Sequence, residues 1–201
     1  MAHLLSADPL MGALVEAHGQ LDEEQRTRGR PADAYGALVR SIVGQQLSTK
    51  AARTIYERLT GLYEGTTPTP QELIETNPDD LRGVGLSRAK ASYLRSLAEH
   101  VVAGELDLLG LADLPDEDVA AQLTAVKGLG QWTADMFMIF HLRRPDVLPV
   151  GDLGVRRGVE LAYGLKELPK AAELERIAQP WRPHRSLASL YLWRSLDNAP
   201  V

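Results

Sequence analysis

The chain has 201 residues and contains no cysteine. The lack of cysteine excludes disulfides, thiolate zinc sites, cysteine nucleophiles and cysteine-ligated iron–sulfur clusters. The five histidines are scattered and form no HExxH pair of the kind that binds zinc. We therefore expect chemistry that requires no cofactor.

Long apolar runs and an excess of positive charge are also missing. The richest apolar stretch runs only from Met136 to Phe140. The N-terminal residues do not show the basic region followed by an apolar segment that is typical of a signal peptide. We expect a soluble cytoplasmic protein with no membrane partner, associated with the nucleoid if bacterial. The formal net charge of -5 argues against a nucleic-acid partner, because such proteins usually present a basic surface.

The apolar pattern predicts an all-α protein. Apolar residues recur at three- and four-residue spacing, and long alternating patterns typical of strands are absent. The hydrophobic content of 44% is sufficient for one domain built from two helical lobes. Helices are predicted at 8–18, 33–42, 48–62, 71–76, 87–103, 116–124, 131–142, 153–163, 170–179 and 184–197.

The domain prediction treats residues 1–201 as a single domain. Residues 61–70, rich in Gly, Thr and Pro, are the best candidate for a crossing between its lobes, and a second crossing is expected near the C-terminus. Helical patterning starts almost at Met1, so no N-terminal β domain is expected.

Two short glycine patterns, at 81–85 and 126–130, each lead into a predicted helix. In either one alone, the glycines could simply allow positive φ in a tight turn. The second pattern continues to Asp135 and fits a helix, a hairpin and a second helix. Glycines let the backbone approach a phosphate, and the amides around Gly130 to Thr133 would favour an anion, with Lys127 as a local cation. Phosphate can thus be held on an acidic protein.

Asp152 stands alone among glycines at the predicted start of a helix. An aspartate in this position is most often an N-cap. Capping and catalysis are compatible, however, because helix amides keep a carboxylate fixed and ionised.

The hairpin and Asp152 resemble the corresponding parts of the helix-hairpin-helix DNA glycosylases, and within them the 3-methyladenine DNA glycosylase II branch. The resemblance extends to the blocks 42–48, 83–91 and 181–193. The blocks occur in family order over most of residues 35–195. The resemblance implies a two-lobed helical bundle with a DNA-binding cleft between the lobes. It also implies a monomeric enzyme that flips an alkylated base out of double-stranded DNA and removes it.

The resemblance also assigns roles to individual residues. Asp152 matches the carboxylate that supports base loss, and Trp132 and Trp193 match aromatic residues of the base pocket. Met136 stands where branch members have an aromatic residue. Trp132 also occupies the place of the nucleophilic lysine of DNA-nicking relatives, so a monofunctional glycosylase is expected. The DNA-binding residues expected at the hairpin are Lys127, Gly128, Leu129, Gly130, Gln131 and Thr133.

Gln45, Gln46 and Leu47 match the loop that fills the gap left by a flipped base, with Gln46 or Leu47 favoured as the wedge. The hairpin carbonyls of Thr124, Val126 and Leu129 match those that hold a monovalent ion, Na⁺ or K⁺, in relatives. Such an ion would be structural only.

Other interpretations stay open at this point. The same scaffold suits a glycosylase for uracil, mismatched thymine or oxidised purines. It also suits a DNA-binding module without activity, in which Asp152 only caps a helix. Arg88 and Lys90 either reach phosphate or belong to a solvated helix face.

Overall fold

The computed structural model describes residues 2–21 and 30–196, and helices are its only regular secondary structure within these ranges. All predicted helices are present, so the all-α prediction is confirmed. The helices are α1 Ala2–Ala7, α2 Pro9–His18, α3 Ala34–Gly44, α4 Thr49–Gly61, α5 Pro70–Glu75, α6 Pro78–Gly83, α7 Arg88–Val102, α8 Asp116–Ala125, α9 Gln131–Phe140, α10 Leu153–Ala162, α11 Ala171–Ile177 and α12 Arg185–Ser195. Single 3₁₀ turns lie at Gly110–Asp113 and Gln179–Trp181.

Side-chain caps fix most of the helix starts. An Asp, Ser, Thr or Asn side chain accepts a hydrogen bond from the backbone amide of the first turn, which satisfies a donor that has no helical partner. The capping residues are Asp8, Asp33, Ser48, Thr69, Asn77, Ser87 and Asp152.

The end of α9 differs from its prediction. The helix ends at Phe140 rather than at residue 142. Arg143 adopts a positive φ of 57°, and the Arg144 amide folds back to the carbonyl of Met138 at 2.9 Å. A left-handed residue after the last turn is a common way for a helix to stop. The last predicted helix ends at Ser195, and residue 197 lies outside the described residues.

The described chain forms two compact units. One contains residues 2–21 and 138–196, and the other contains residues 30–137. The expected crossing at residues 61–70 is not where the chain changes units, because this segment is tied to its own unit. Tyr56 Oη lies 2.6 Å from Thr67 Oγ1, and Tyr63 Oη lies 2.6 Å from Thr76 Oγ1. The chain changes units between residues 21 and 30 and again after Phe137, inside α9. The second crossing expected near the C-terminus is not present in the described residues, because residues 138–196 all belong to one unit.

The first unit is organised around buried aromatic side chains and the buried acid Asp8. Trp181, Tyr191 and Trp193 are almost fully inaccessible to solvent. Asp8 caps α2 through Oδ1, while its Oδ2 accepts hydrogen bonds from Tyr163 Oη at 2.5 Å and Trp181 Nε1 at 3.1 Å. One carboxylate thereby joins α2, the end of α10 and the turn that precedes α12.

The second unit is built around α3 and α7. α3 buries Leu38 and Ile42 completely, and α7 buries Leu94 and Leu97 completely. The buried helices position the turn after α3 and the helix-hairpin-helix segment, the two features of this unit that carry candidate site residues. No helix within the described residues is both long and apolar enough to cross a membrane.

Candidate functional site

The second glycine pattern forms the predicted helix-hairpin-helix. Helix α8 ends at Ala125, the chain turns through residues 126–130, and α9 begins at Gln131. The Leu129 amide donates to the carbonyl of Val126 at 3.0 Å, which closes the turn. The Ala134 amide makes the first α-helical bond, to Gly130 at 3.1 Å. The amides of residues 131–133 precede this bond, as in a helix start that binds an anion.

Gly128 is required by the hairpin itself. Its φ is +93°, and a Cβ atom at this position would lie 2.1 Å from Cγ of Tyr93. No side chain fits there, because the Tyr93 ring packs directly against the glycine backbone. Gln45 supports the same residue, since its Nε2 donates to the Gly128 carbonyl at 2.9 Å and to Thr133 Oγ1 at 3.3 Å.

Gly130 differs from Gly128. A Cβ at Gly130 would have no atom within 4 Å, and the residue is exposed. The free protein therefore has no packing need for a glycine here. Lys127 is also exposed and lies in the same turn. The hairpin thus presents an open backbone and one cation to solvent.

The hairpin prediction needs two refinements. Thr133 has 1% of its surface exposed and its hydroxyl accepts a hydrogen bond from Gln45, so its side chain is not placed to meet a phosphate. The side chain of Leu129 is buried as well. Gln131 is exposed, and its Nε2 donates to Oδ1 of Asp135 at 2.8 Å.

In the turn after α3, Gln45 is half-buried whereas Gln46 and Leu47 are exposed. Gln45 was expected to face DNA, but its amide nitrogen is engaged by the hairpin and the residue is half-buried. Gln46 is exposed and adopts a left-handed φ of 57°, which is uncommon for a residue other than glycine. Leu47 has 38% of its surface exposed. These two residues form the tip of the turn.

Asp152 is the N-cap of α10, as the sequence predicts. Its Oδ1 accepts the Val155 amide at 2.8 Å and also Nε1 of Trp193 at 2.8 Å. Only 8% of the residue is exposed. Two N–H donors on one oxygen hold a nearly buried carboxylate in one orientation and compensate for its burial.

Trp193 has a different position from the one expected. It is 1% exposed, so its ring presents no open face to a base in this structure. Instead it stacks on Phe140, with ring centroids 5.6 Å apart and planes 24° apart, and directs its N–H at Asp152. A Cβ on Gly154 would lie 2.8 Å from Trp193 Cδ1, so glycine permits the approach of the indole.

The two remaining pocket candidates lie on α9, one turn apart. Trp132 is partly exposed and therefore has surface available for contact. Met136 is 4% exposed and packs in the core of its unit. Trp132 is thus the pocket candidate whose accessibility suits stacking with a base.

Sequence patterns gave no signal for three contacts. Tyr93 packs on the hairpin glycine, and Phe140 stacks on Trp193, across sequence distances that periodicity cannot bridge. Lys90 does not extend toward solvent, because its Nζ donates to the Val43 carbonyl at 2.7 Å. Arg88 is exposed on the same helix.

Comparison with known proteins identifies the class. The family model described as "HhH-GPD superfamily base excision DNA repair protein" matches residues 39–183. The chain belongs to this superfamily.

The relatives within this class include named alkylation-repair enzymes. DNA-3-methyladenine glycosylase 1 of Schizosaccharomyces pombe is 33% identical over 195 residues, which cover 96% of this chain and 85% of that protein. The solved structure of an S. pombe 3-methyladenine DNA glycosylase in complex with abasic DNA has a TM-score of 0.89 and 30% identity, covering 98% of this chain and 96% of that one. A DNA-3-methyladenine glycosidase structure from Bacillus halodurans has a TM-score of 0.80 and 38% identity, with coverage of 96% and 87%.

Proposed function

We propose that this protein is a DNA glycosylase that binds double-stranded DNA, flips out an alkylated purine and hydrolyses its N-glycosidic bond. The observation that carries the proposal is the carboxylate of Asp152, nearly buried and held by a helix amide and an indole N–H. The relatives named as 3-methyladenine glycosylases support the choice of substrate class.

The chemistry suits a fixed anion. As the bond between C1′ and the base nitrogen breaks, the base leaves with the electron pair and the deoxyribose gains positive charge. A carboxylate beside C1′ stabilises that charge, most strongly where water is scarce. Water then adds to C1′ and releases a proton, leaving an abasic site. A purine methylated at N3 or N7 is already cationic, so it leaves readily and attracts an aromatic face such as that of Trp132.

The helix-hairpin-helix supplies DNA affinity in this proposal. The amides at the start of α9 and the open backbone at Gly130 receive a phosphate, and Lys127 adds a positive charge. This arrangement explains how a chain of net charge -5 binds a polyanion. Gln46 and Leu47 fill the gap left by the flipped base, since both are exposed at the tip of their turn.

A monovalent ion belongs to the proposal as a structural element. The Val126 carbonyl is part of a closed turn at the end of α8, and carbonyl oxygens suit hard cations. Na⁺ or K⁺ would be held by the carbonyls of Thr124, Val126 and Leu129. Its charge would strengthen phosphate binding, and it would take no part in bond cleavage.

The absence of strand nicking is also proposed. Trp132 stands at the helix position where a lyase would need an amine, and a Schiff base cannot form without one. Borohydride should therefore trap no covalent adduct between the protein and DNA. A trapped adduct would contradict a purely hydrolytic enzyme. We further propose a monomer that acts in the cytoplasm.

Base release from defined duplexes tests the proposed activity. The panel contains 3-methyladenine, 7-methylguanine, 1-methyladenine, hypoxanthine, uracil and 8-oxoguanine, each in one position of the same sequence. Release of the first two lesions in preference to the others is expected. Preferred release of uracil or 8-oxoguanine would assign another glycosylase class, and binding without any release would favour a non-catalytic DNA-binding module.

A further inference from the structure

The turn that carries Gln46 and Leu47 is tight, and its conformation is not the one these residues prefer. Gln46 has a φ of 57°, and the Leu47 amide donates to the Gly44 carbonyl at 3.2 Å. A non-glycine residue in this region persists only when surrounding contacts hold it there. The contacts that hold this turn are therefore of interest.

One such contact comes from Lys90. Its Nζ donates to the Val43 carbonyl at 2.7 Å, near the C-terminal end of α3. The α-helical donor for that carbonyl would be the Leu47 amide, which bonds to Gly44 instead. A cation at a helix C-terminus also interacts favourably with the helix dipole. Burial lowers the pKa of Lys90, as expected for an ammonium turned away from water.

A second contact is made by Gln45, the residue that immediately precedes Gln46. Gln45 is bonded to Gly128 and Thr133, so the residue just before the tip is attached to the helix-hairpin-helix. Lys90 follows the first glycine pattern by a few residues, in the first turn of α7. The exposed tip is thus anchored to the segments that follow both glycine patterns.

We propose that Lys90 is a positioning residue for the DNA wedge: it holds the end of α3 so that Gln46 and Leu47 project from the turn. This inference rests on the proposed function of the tip. It replaces the alternative in which Lys90 contacts a phosphate, because its ammonium is directed at a protein carbonyl.

A double-mutant cycle tests the proposal. Lys90→Met, Leu47→Ala and the double variant are compared using a duplex with a tetrahydrofuran abasic site opposite 2-aminopurine, whose fluorescence reports unstacking. Lys90→Met should lower the equilibrium constant for unstacking, obtained from the fluorescence change, about tenfold, as expected for losing a charged hydrogen bond, and should add nothing in the Leu47→Ala background. Independent, additive losses would overturn the proposal, as would an unchanged signal in Lys90→Met.

Salt dependence separates positioning from phosphate contact. Loss of a phosphate contact lowers the slope of log affinity against log salt by about 1, whereas loss of a positioning residue leaves the slope unchanged. Lys166→Met removes an exposed lysine and serves as the matched charge control. A reduced slope in Lys90→Met, but not in Lys166→Met, would contradict our assignment.

Amide hydrogen exchange gives a readout that needs neither DNA nor activity. Residues 44–48 should exchange faster in Lys90→Met, and Lys90→Arg, which keeps a long donor, should restore much of their protection. Unchanged exchange would refute the role of Lys90 even in an active enzyme. The two proposals can also fail separately. If the wild type releases no base but residues 44–48 exchange faster in Lys90→Met, the proposed function is rejected and the positioning role of Lys90 stands. Lys90→Gln provides a second variant if Lys90→Met does not fold.

Discussion

Asp152 shows that one carboxylate can cap a helix and still suit catalysis. The α10 amide and the Trp193 indole both donate to Oδ1, so the cap fixes the orientation that chemistry would need. The sequence alone predicts the cap, because an aspartate before an amphipathic helix is a familiar start signal. It does not predict the indole, which lies 41 residues away in sequence.

Removing the indole donor should weaken catalysis without unfolding the protein. Trp193→Phe keeps an aromatic ring for stacking on Phe140 but deletes the N–H that orients Asp152. We expect the single-turnover rate of base release to fall at least about tenfold, since a hydrogen bond to a charged group is lost.

Trp181→Phe provides the control for that experiment. It removes another indole N–H that donates to a carboxylate, that of Asp8, in the same unit. This variant should be less stable but should retain its rate. Equal rate losses in the two variants would mean that Trp193 has only a packing role.

The helix-hairpin-helix illustrates what a pattern can and cannot reveal about an element. Its boundaries follow from glycine placement and helical periodicity, and the structure confirms them within a residue or two. The pattern does not reveal that Gly128 is fixed by the Tyr93 ring while Gly130 is unobstructed. Nor does it reveal that Gln45 supports the hairpin, because that bond spans 83 residues of sequence.

The two hairpin glycines should therefore respond differently to alanine. Gly128→Ala requires a left-handed alanine and a displaced Tyr93 ring, so it should lower the free energy of unfolding by about 2–4 kcal/mol. Gly130→Ala should change stability by less than about 0.5 kcal/mol. It should nevertheless weaken DNA binding, because the methyl group would stand where the phosphate approaches. Urea unfolding and duplex titrations measure both quantities. Unaltered DNA affinity in Gly130→Ala would contradict phosphate binding at this turn.

Across the molecule, the packing of remote segments is what sequence patterns could not supply. Residues 2–21 join residues 138–196 in one unit, through contacts such as that of Asp8 with Tyr163 and Trp181. Helical periodicity describes each segment separately and does not indicate which remote segments pack together. The predicted crossing between lobes at residues 61–70 was wrong for the same reason. The hydrogen bonds of Tyr56 with Thr67 and of Tyr63 with Thr76 hold this segment in its own unit, and no local sequence pattern indicates them.

The buried Asp8 network predicts acid sensitivity. Burial tends to raise the pKa of Asp8, but the hydrogen bonds from Tyr163, Trp181 and the α2 amides outweigh burial and leave the pKa below its ordinary 3.8. The associated stability is present above the unfolded-state pKa and is lost as pH falls through the folded value. The free energy of unfolding of wild type minus that of Asp8→Asn should therefore shrink between about pH 5 and about pH 2. A constant difference over this range would show that ionised Asp8 contributes no such stability.

In the proposed reaction, Asp152 supports the loss of an alkylated base. The most direct test of this role is the single-turnover release of 3-methyladenine and 7-methylguanine by wild type and Asp152→Asn, with duplex affinity measured in parallel. The neutral amide keeps the size of the side chain and an oxygen for the helix cap, but it removes the charge that stabilises the sugar cation. Asp152→Asn should therefore release these bases at least about a hundredfold more slowly, with duplex affinity retained. Release at the wild-type rate by Asp152→Asn would contradict this role.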